Sequence, residues 1–240
     1  MATYVLTDLH GQYDLWNAVK KYLKDNDTLF FLGDAIDRGD RGFEIFMELL
    51  DDPRVIYIKG NHEDMMYNAF YSSGLAASEW FKEWMKNGGQ ETLDNIKKLD
   101  LHYEKKMNYI DKIRTMATSL TYVNKDKTCF LLSHAGVTPN EKYFTMESLN
   151  RENYEIWNRK HIVDEWPEEY ADKDIIIIHG HTPVQLMYQI DPTFPKSFDG
   201  FPVKYCDGHK INLDSACFSS NLITLYNLDT NKVEILVKGE

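Results

Sequence analysis

One stretch limits what this chain can become. Thr28-Leu29-Phe30-Phe31-Leu32 runs without a break into Gly33-Asp34-Ala35-Ile36-Asp37-Arg38-Gly39. A short apolar run bounded by turn residues reads as a buried strand rather than a helix. Gly33 lets the backbone leave that strand sharply. Two carboxylates and a guanidinium then crowd onto one tight loop. That crowding is costly unless a cation offsets the carboxylates and an anion meets the guanidinium. The loop therefore predicts a metal at Asp34 and a phosphate at Arg38.

Two further stretches share this build. Tyr4-Val5-Leu6-Thr7 leads into Asp8-Leu9-His10-Gly11, and Val55-Ile56-Tyr57-Ile58 leads into Gly60-Asn61-His62-Glu63. Helical periodicity fills the gaps between them, with Leu15, Trp16, Val19, Tyr22 and Leu23 first and Phe43, Ile45, Phe46, Leu49 and Leu50 second. Strand–helix–strand units of this kind build a parallel sheet whose carboxyl-end loops meet at one crevice. Two later strands end in the same way, Thr128 to Ser133 before His134-Ala135-Gly136, and Asp174 to Ile178 before His179-Gly180-His181-Thr182-Pro183. Asp8 and His10, at i and i+2, are expected to share a face where the first strand ends.

Residues 64–118 break the rhythm. They are rich in Met, Tyr and Trp and read as mostly helical, with Asn87-Gly88-Gly89 as a helix stop. We expect one domain over 1–240, with this segment as a helical insertion beside the site. Trp80, Phe81, Trp84 and Met85 read as packing residues rather than substrate contacts. The last forty residues read as strands (203–206, 210–213, 222–228 and 233–237) forming the second sheet of a sandwich, after an irregular loop over 191–202.

A net charge of −11 argues against binding a nucleic-acid polymer or an anionic membrane surface. No apolar run is long enough to span a bilayer. Cys129, Cys206 and Cys217 do not make a disulfide framework, which points to a reducing, cytoplasmic setting. The sequence sets no oligomeric state.

The five loop motifs, in this order, resemble those of the calcineurin-like metallophosphoesterases. The full Gly-Asp-x-x-Asp-Arg-Gly at Gly33 and Gly-Asn-His-Glu at Gly60 narrow the resemblance to the phosphoprotein phosphatase group. Its small bacterial and bacteriophage members, which include the symmetrical diadenosine tetraphosphate hydrolases, are the most similar. The resemblance implies a four-layer α/β/β/α sandwich, two mixed sheets face to face with helices outside. It implies two divalent metal ions: Asp8 and His10 on the first, Asp34 bridging, and Asn61, His134 and His181 on the second. Oxygen and imidazole donors without thiolate suit manganese, iron, zinc or magnesium, and manganese is the ion expected.

Further roles follow from the same resemblance. His62 is expected as a general acid oriented by Asp37, and Arg38 and Arg159 as phosphoryl clamps. The reaction implied is hydrolysis of a phosphate monoester by a metal-bridging hydroxide, on a serine/threonine or tyrosine phosphoprotein or a small phosphate ester. Hydrolysis of a dinucleoside polyphosphate and a non-catalytic phosphate-binding module are the alternatives. His102, His161 and His209 read as surface or satisfied core groups, and His179 as a neighbour of the site. Asn212-Leu213-Asp214-Ser215-Ala216-Cys217 resembles the C-terminal strand motif of the bacterial members. Ala216 replaces their usual glycine, which puts a close backbone turn there in question.

Overall fold

A computed structural model describes residues 1–137, 148–171, 173–196 and 202–239. Part of the expected irregular loop, 197–201, lies outside them. The described strands form two five-stranded mixed sheets. In the first, β1 (Thr3–Leu6), β2 (Thr28–Phe31) and β3 (Val55–Tyr57) are parallel neighbours, with Val5 opposite Phe30 and Phe30 opposite Ile56. In the second, β5 (Cys129–Ser133) and β6 (Ile175–His179) are parallel, and β8 (Lys210–Asn212) continues the sheet beside β6. β4 (Ser119–Val123) forms one edge, antiparallel to β5, and β7 (Val203–Tyr205) forms the other. β4 is half exposed along its length, and its mixed Ser-Leu-Thr-Tyr-Val sequence carries little strand signal.

The alternation of side chains along a strand explains why these runs are apolar throughout. Val5, Phe30, Leu32 and Ile58 point between the sheets and meet Phe130, Leu132, Ile178 and Ile211. Leu6, Leu29 and Phe31 point the other way, onto α1 (Tyr13–Tyr22) and α2 (Gly42–Asp51) through Leu15, Trp16, Val19, Phe43 and Phe46. Burying each such side chain contributes about 1.5–3 kcal/mol.

The C-terminal strands do not form the second sheet on their own, contrary to expectation. β7 and β8 join it, but β9 (Leu222–Asn227) and β10 (Lys232–Val237) extend the first sheet beside β1. The cause is visible in β9. Ile223 and Leu225 face the helical layer, while Tyr226 and Leu228 face the space between sheets. Such a segment needs cover on both sides, which the place next to β1 provides.

The segment over 64–118 is helical: α3 (Asn61–Tyr71), α4 (Gly74–Lys86), α5 (Gly89–Lys98) and α6 (Tyr103–Lys112). Gly88 takes the left-handed conformation (φ 99°) between α4 and α5, as the Asn87-Gly88-Gly89 stop requires. α5 was not anticipated. α7 (Ser148–Trp157) packs on the second sheet, where Tyr154 lies against Ile177 and Val137. Among the described residues, no helix is long and apolar enough to cross a membrane. All three cysteines are free.

Candidate active site

The loops after β1, β2, β3, β5 and β6 carry the polar residues singled out in the sequence. Their convergence is a matter of loop geometry, not of strand alternation. β1 ends at Leu6, so Asp8 and His10 lie beyond it, both left-handed (φ 53° and 41°), which corrects the shared-strand-face expectation. Asp34, Asp37, Arg38 and His181 are also left-handed, with φ of 64°, 69°, 65° and 65°. Such residues cost roughly 1–2 kcal/mol each away from glycine. Neighbouring loops hold them there: Asp8 N–H donates to Gly33 O at 3.0 Å, and His10 N–H donates to Asp34 O at 3.0 Å. Gly33 and Gly180 permit the close approach. A Cβ on Gly33 would stand 2.4 Å from Gly60 N, and one on Gly180 would stand 2.1 Å from Asp8 Oδ2.

Five buried side chains then face one another around Asp34. His134 Nε2 lies 3.4 Å from Asp34 Oδ2, 2.9 Å from Asn61 Oδ1 and 3.1 Å from His181 Nδ1. Asn61 Oδ1 is 2.9 Å from His181 Nδ1. His10 Nε2 lies 3.7 Å from the same Asp34 oxygen and 3.8 Å from Asp8 Oδ1. The other ring nitrogens of His134 and His10 are already committed, while His181 Nε2 is buried without a partner among the described residues. His134 Nδ1 bonds Leu32 O at 2.8 Å, and His10 Nδ1 bonds Ile36 O at 3.0 Å. A ring that donates there turns a lone pair inward at Nε2, which in His10 is met by Arg38 Nη1 at 2.7 Å. Lone pairs of oxygen and nitrogen directed at one another are unfavourable unless a cation sits among them.

The donor set therefore fits divalent metal: Asp8–Asp34–His134 within it has the spacing to hold an ion, and so does His10–Asp34 together with the neighbouring His62. The local field agrees. Burial opposes a charged His134, but the Asp34 and Asp8 carboxylates override it and carry its pKa up to about 10. Burial, aided by the charge of Asp34, raises Asp8 to about 6. A field that draws a proton to this point also draws a metal cation.

His62 stands at the start of α3 with its two nitrogens in different surroundings. Nδ1 lies 2.6 Å from Asp37 Oδ2, and Nε2 faces Asp34 Oδ2 at 3.8 Å. Asp37 is wholly buried, and burial raises its pKa against the lowering effect of His62, Thr92 and Trp84. Arg38 is exposed at the mouth and reaches inward, with Nη1 at 2.7 Å from His10 Nε2 and Nη2 at 3.1 Å from His62 Nε2. The Phe218 ring lies 5.2 Å from its guanidinium carbon. Arg159 is exposed, immediately before a short 3-10 turn, and its charge helps burial and His134 to lower the pKa of His181.

Three further residues have surroundings that their sequence context left open. His179 turns away from Asp34: its Nε2 lies 2.7 Å from Tyr205 Oη, and burial lowers its pKa to about 3. His161 is fully buried, with its ring 5.0 Å from that of His179 and its Nε2 unpartnered. Ala216 does make the close turn, at φ 53° and ψ 50°, without a glycine.

Sequence reasoning missed Glu63, which is wholly buried and accepts N–H bonds from Asp34, Ala35 and Gly60 and the hydroxyl of Tyr57. Its place beside His62 was the available signal. It also missed Thr7, which donates to Asp8 Oδ2 at 2.5 Å, and Cys217, whose thiol donates to Asp8 O at 3.0 Å. Trp84 is more than packing, since its indole N–H reaches both oxygens of Asp37 at 3.0 Å.

This geometry has relatives. Serine/threonine-protein phosphatase 2 of Escherichia coli is 30% identical over 103 residues, 40% of this chain. The matched stretch spans just under half of that protein, 47%. An asymmetrical bis(5'-nucleosyl)-tetraphosphatase, PrpE of Anoxybacillus flavithermus, is 23% identical over 75% of this chain and 78% of its own length. Among solved structures, a protein serine/threonine phosphatase of Saccharomyces cerevisiae superposes with a TM-score of 0.60 at 15% identity, covering 100% of this chain and 81% of that one. The family model for calcineurin-like phosphoesterase matches residues 1–213, and the chain belongs to that family.

Proposed function

We propose that the chain hydrolyses phosphate monoesters, with serine/threonine phosphoproteins, and tyrosine phosphoproteins beside them, as its substrate class. The observation that carries this reading is the His62–Asp37 pair. Nδ1 is held on a buried carboxylate at 2.6 Å while Nε2 faces the cluster around Asp34. An imidazole so held suits delivery of a proton to a leaving alkoxide. Arg38 would grip the phosphoryl oxygens with its fork, and Arg159 would add a second positive charge from the His181 side. Asp8, His10, Asp34, Asn61, His134 and His181 would hold two divalent ions, manganese foremost, which when bound supply a water that ionises near neutral pH and charge to offset the phosphoryl group.

The relationship to a bis(5'-nucleosyl)-tetraphosphatase over most of that protein's length keeps a dinucleoside polyphosphate as the second reading. The deciding experiment compares kcat/KM for phosphoserine peptides and diadenosine tetraphosphate, each with the wild type and His62→Asn. The peptide is expected to be the better substrate. His62→Asn should lower turnover by about 10²–10⁴ with metal content unchanged, and more on phosphoserine than on p-nitrophenyl phosphate, whose leaving group needs little proton help. A preference of about a hundredfold for the dinucleotide, roughly 2.7 kcal/mol, would reverse the substrate assignment. Loss of metal from His62→Asn would instead place that ring among the ligands.

A further inference from the structure

We infer that Trp84 and Thr92, both from the helical insertion, are positioning residues that hold Asp37 and through it set the proton on His62. This rests on the reading of His62 as the proton donor. The Asp37 carboxylate is wholly buried and its orientation is over-determined. Trp84 Nε1–H spans both oxygens at 3.0 Å each. Thr92 Oγ1 accepts the Asp37 backbone N–H at 2.9 Å, so its own hydrogen is free to go to Asp37 Oδ1, 2.6 Å away. Indole nitrogen only donates, and a hydroxyl that already accepts is best used as a donor. Together they leave Asp37 Oδ2 turned to His62 Nδ1.

The backbone reinforces the link. Arg38 N–H donates to Gly88 O at 3.2 Å, and a Cβ on Gly88 would stand 2.9 Å from Arg38 N. The turn between α4 and α5 thus lies directly on the residue that follows Asp37. Of α4's residues, all of them described, only Trp84 is buried. The buried residue of this helix is also the one that orients the dyad. The insertion is therefore part of the proton-delivery apparatus and not only a wall beside it.

The test uses the metal-loaded full chain, with kcat and KM on a phosphoserine peptide and on p-nitrophenyl phosphate, metal content and melting temperature. Trp84→Phe and Thr92→Val should each lower kcat on phosphoserine by about tenfold, the usual effect of removing a hydrogen bond to a charged group. KM and metal content should stay unchanged, and the loss on p-nitrophenyl phosphate should be smaller. Thr92→Ser, which keeps the hydroxyl, should restore the rate. Trp80→Phe, on the same helix, should behave as wild type. Should Thr92→Val fold poorly, Trp84→Phe keeps an aromatic ring in place and carries the test. Wild-type turnover in well-folded Trp84→Phe, or equal losses on both esters, would overturn the inference. His62→Asn serves as reference: if it fails to distinguish the esters, the proton-donor reading falls, whereas if it distinguishes them and Trp84→Phe does not, only the positioning role falls.

Discussion

Glu63 Oε2 accepts the backbone N–H of Asp34 at 2.8 Å, so one buried carboxylate fixes the loop that presents another. Its second oxygen takes Ala35 N–H at 2.9 Å and the Tyr57 hydroxyl at 2.8 Å. A left-handed Asp34 (φ 64°) is thereby tied to β3 and to the start of α3. Replacing one oxygen by an amide nitrogen would set N–H against N–H. Glu63→Gln is expected to destabilise the fold by about 2–3 kcal/mol. Urea unfolding measures this, and a change near zero would show that the loop keeps its shape without Glu63.

Metal removal is the broadest check on the cluster. Chelation should abolish phosphoesterase activity and manganese should restore it best. Asp34→Asn should bind less metal as well as lose turnover, because Asp34 is common to both groups of donors. Elemental analysis alongside the assay separates these effects. Full turnover in chelated protein stripped of metal would remove the metal from the reaction.

Arg38→Ala should leave metal content intact and weaken inhibition by inorganic phosphate about tenfold or more, the scale of a lost charge-assisted contact. Arg38 reaches into the site from an exposed position and is no part of the ligand set. Arg159→Ala should act in the same direction and more mildly. An unchanged inhibition constant for Arg38→Ala would take that side chain off the phosphoryl group.

What the sequence made legible was whatever lies in one short stretch. Asp8, His10, Asp34, Asn61, His134 and His181 stand in compact strand-end loops, and five of these loops in order point to a single crevice. What it did not show is contact across the chain. Trp84 and Thr92 lie 47 and 55 residues from Asp37, and no local periodicity reports their bonds to it. The place of β9 was hidden for the same reason: its apolar residues on both faces suit the interior of either sheet, and only pairing with β1 decides.

Ala216 tests how the chain tolerates a turn its residue type disfavours. Its φ of 53° is costly for any side chain, by roughly 1–2 kcal/mol. Glycine would relieve this but gain freedom when unfolded, which offsets about 0.4–1 kcal/mol. Ala216→Gly should therefore stabilise by about 0.5 kcal/mol, read as a small rise in melting temperature. A fall would mean that the Ala216 methyl, itself buried, packs more tightly than its strain costs.

His161 should leave a signature in the acid limb of the stability curve. Burial is the main cause of its lowered pKa, and the neighbouring His179 and Lys210 add to it, so the folded state holds the ring neutral well below the ordinary 6.5. The unfolded chain takes up a proton there as pH falls through 6.5, and the folded chain does not. Stability contributed by the neutral ring is thus present above 6.5 and lost on acidification below it. Carboxylates titrate over part of the same range, so the informative quantity is the difference between wild type and His161→Gln. Between pH 6 and 4.5 that difference in unfolding free energy should fall by about 1.4 kcal/mol per pH unit, one proton's worth. Glutamine takes no proton, and the ring nitrogen it replaces at Nε2 has no partner to lose. Parallel curves for the two proteins would mean that the ring is protonated in the folded state as readily as in the unfolded one.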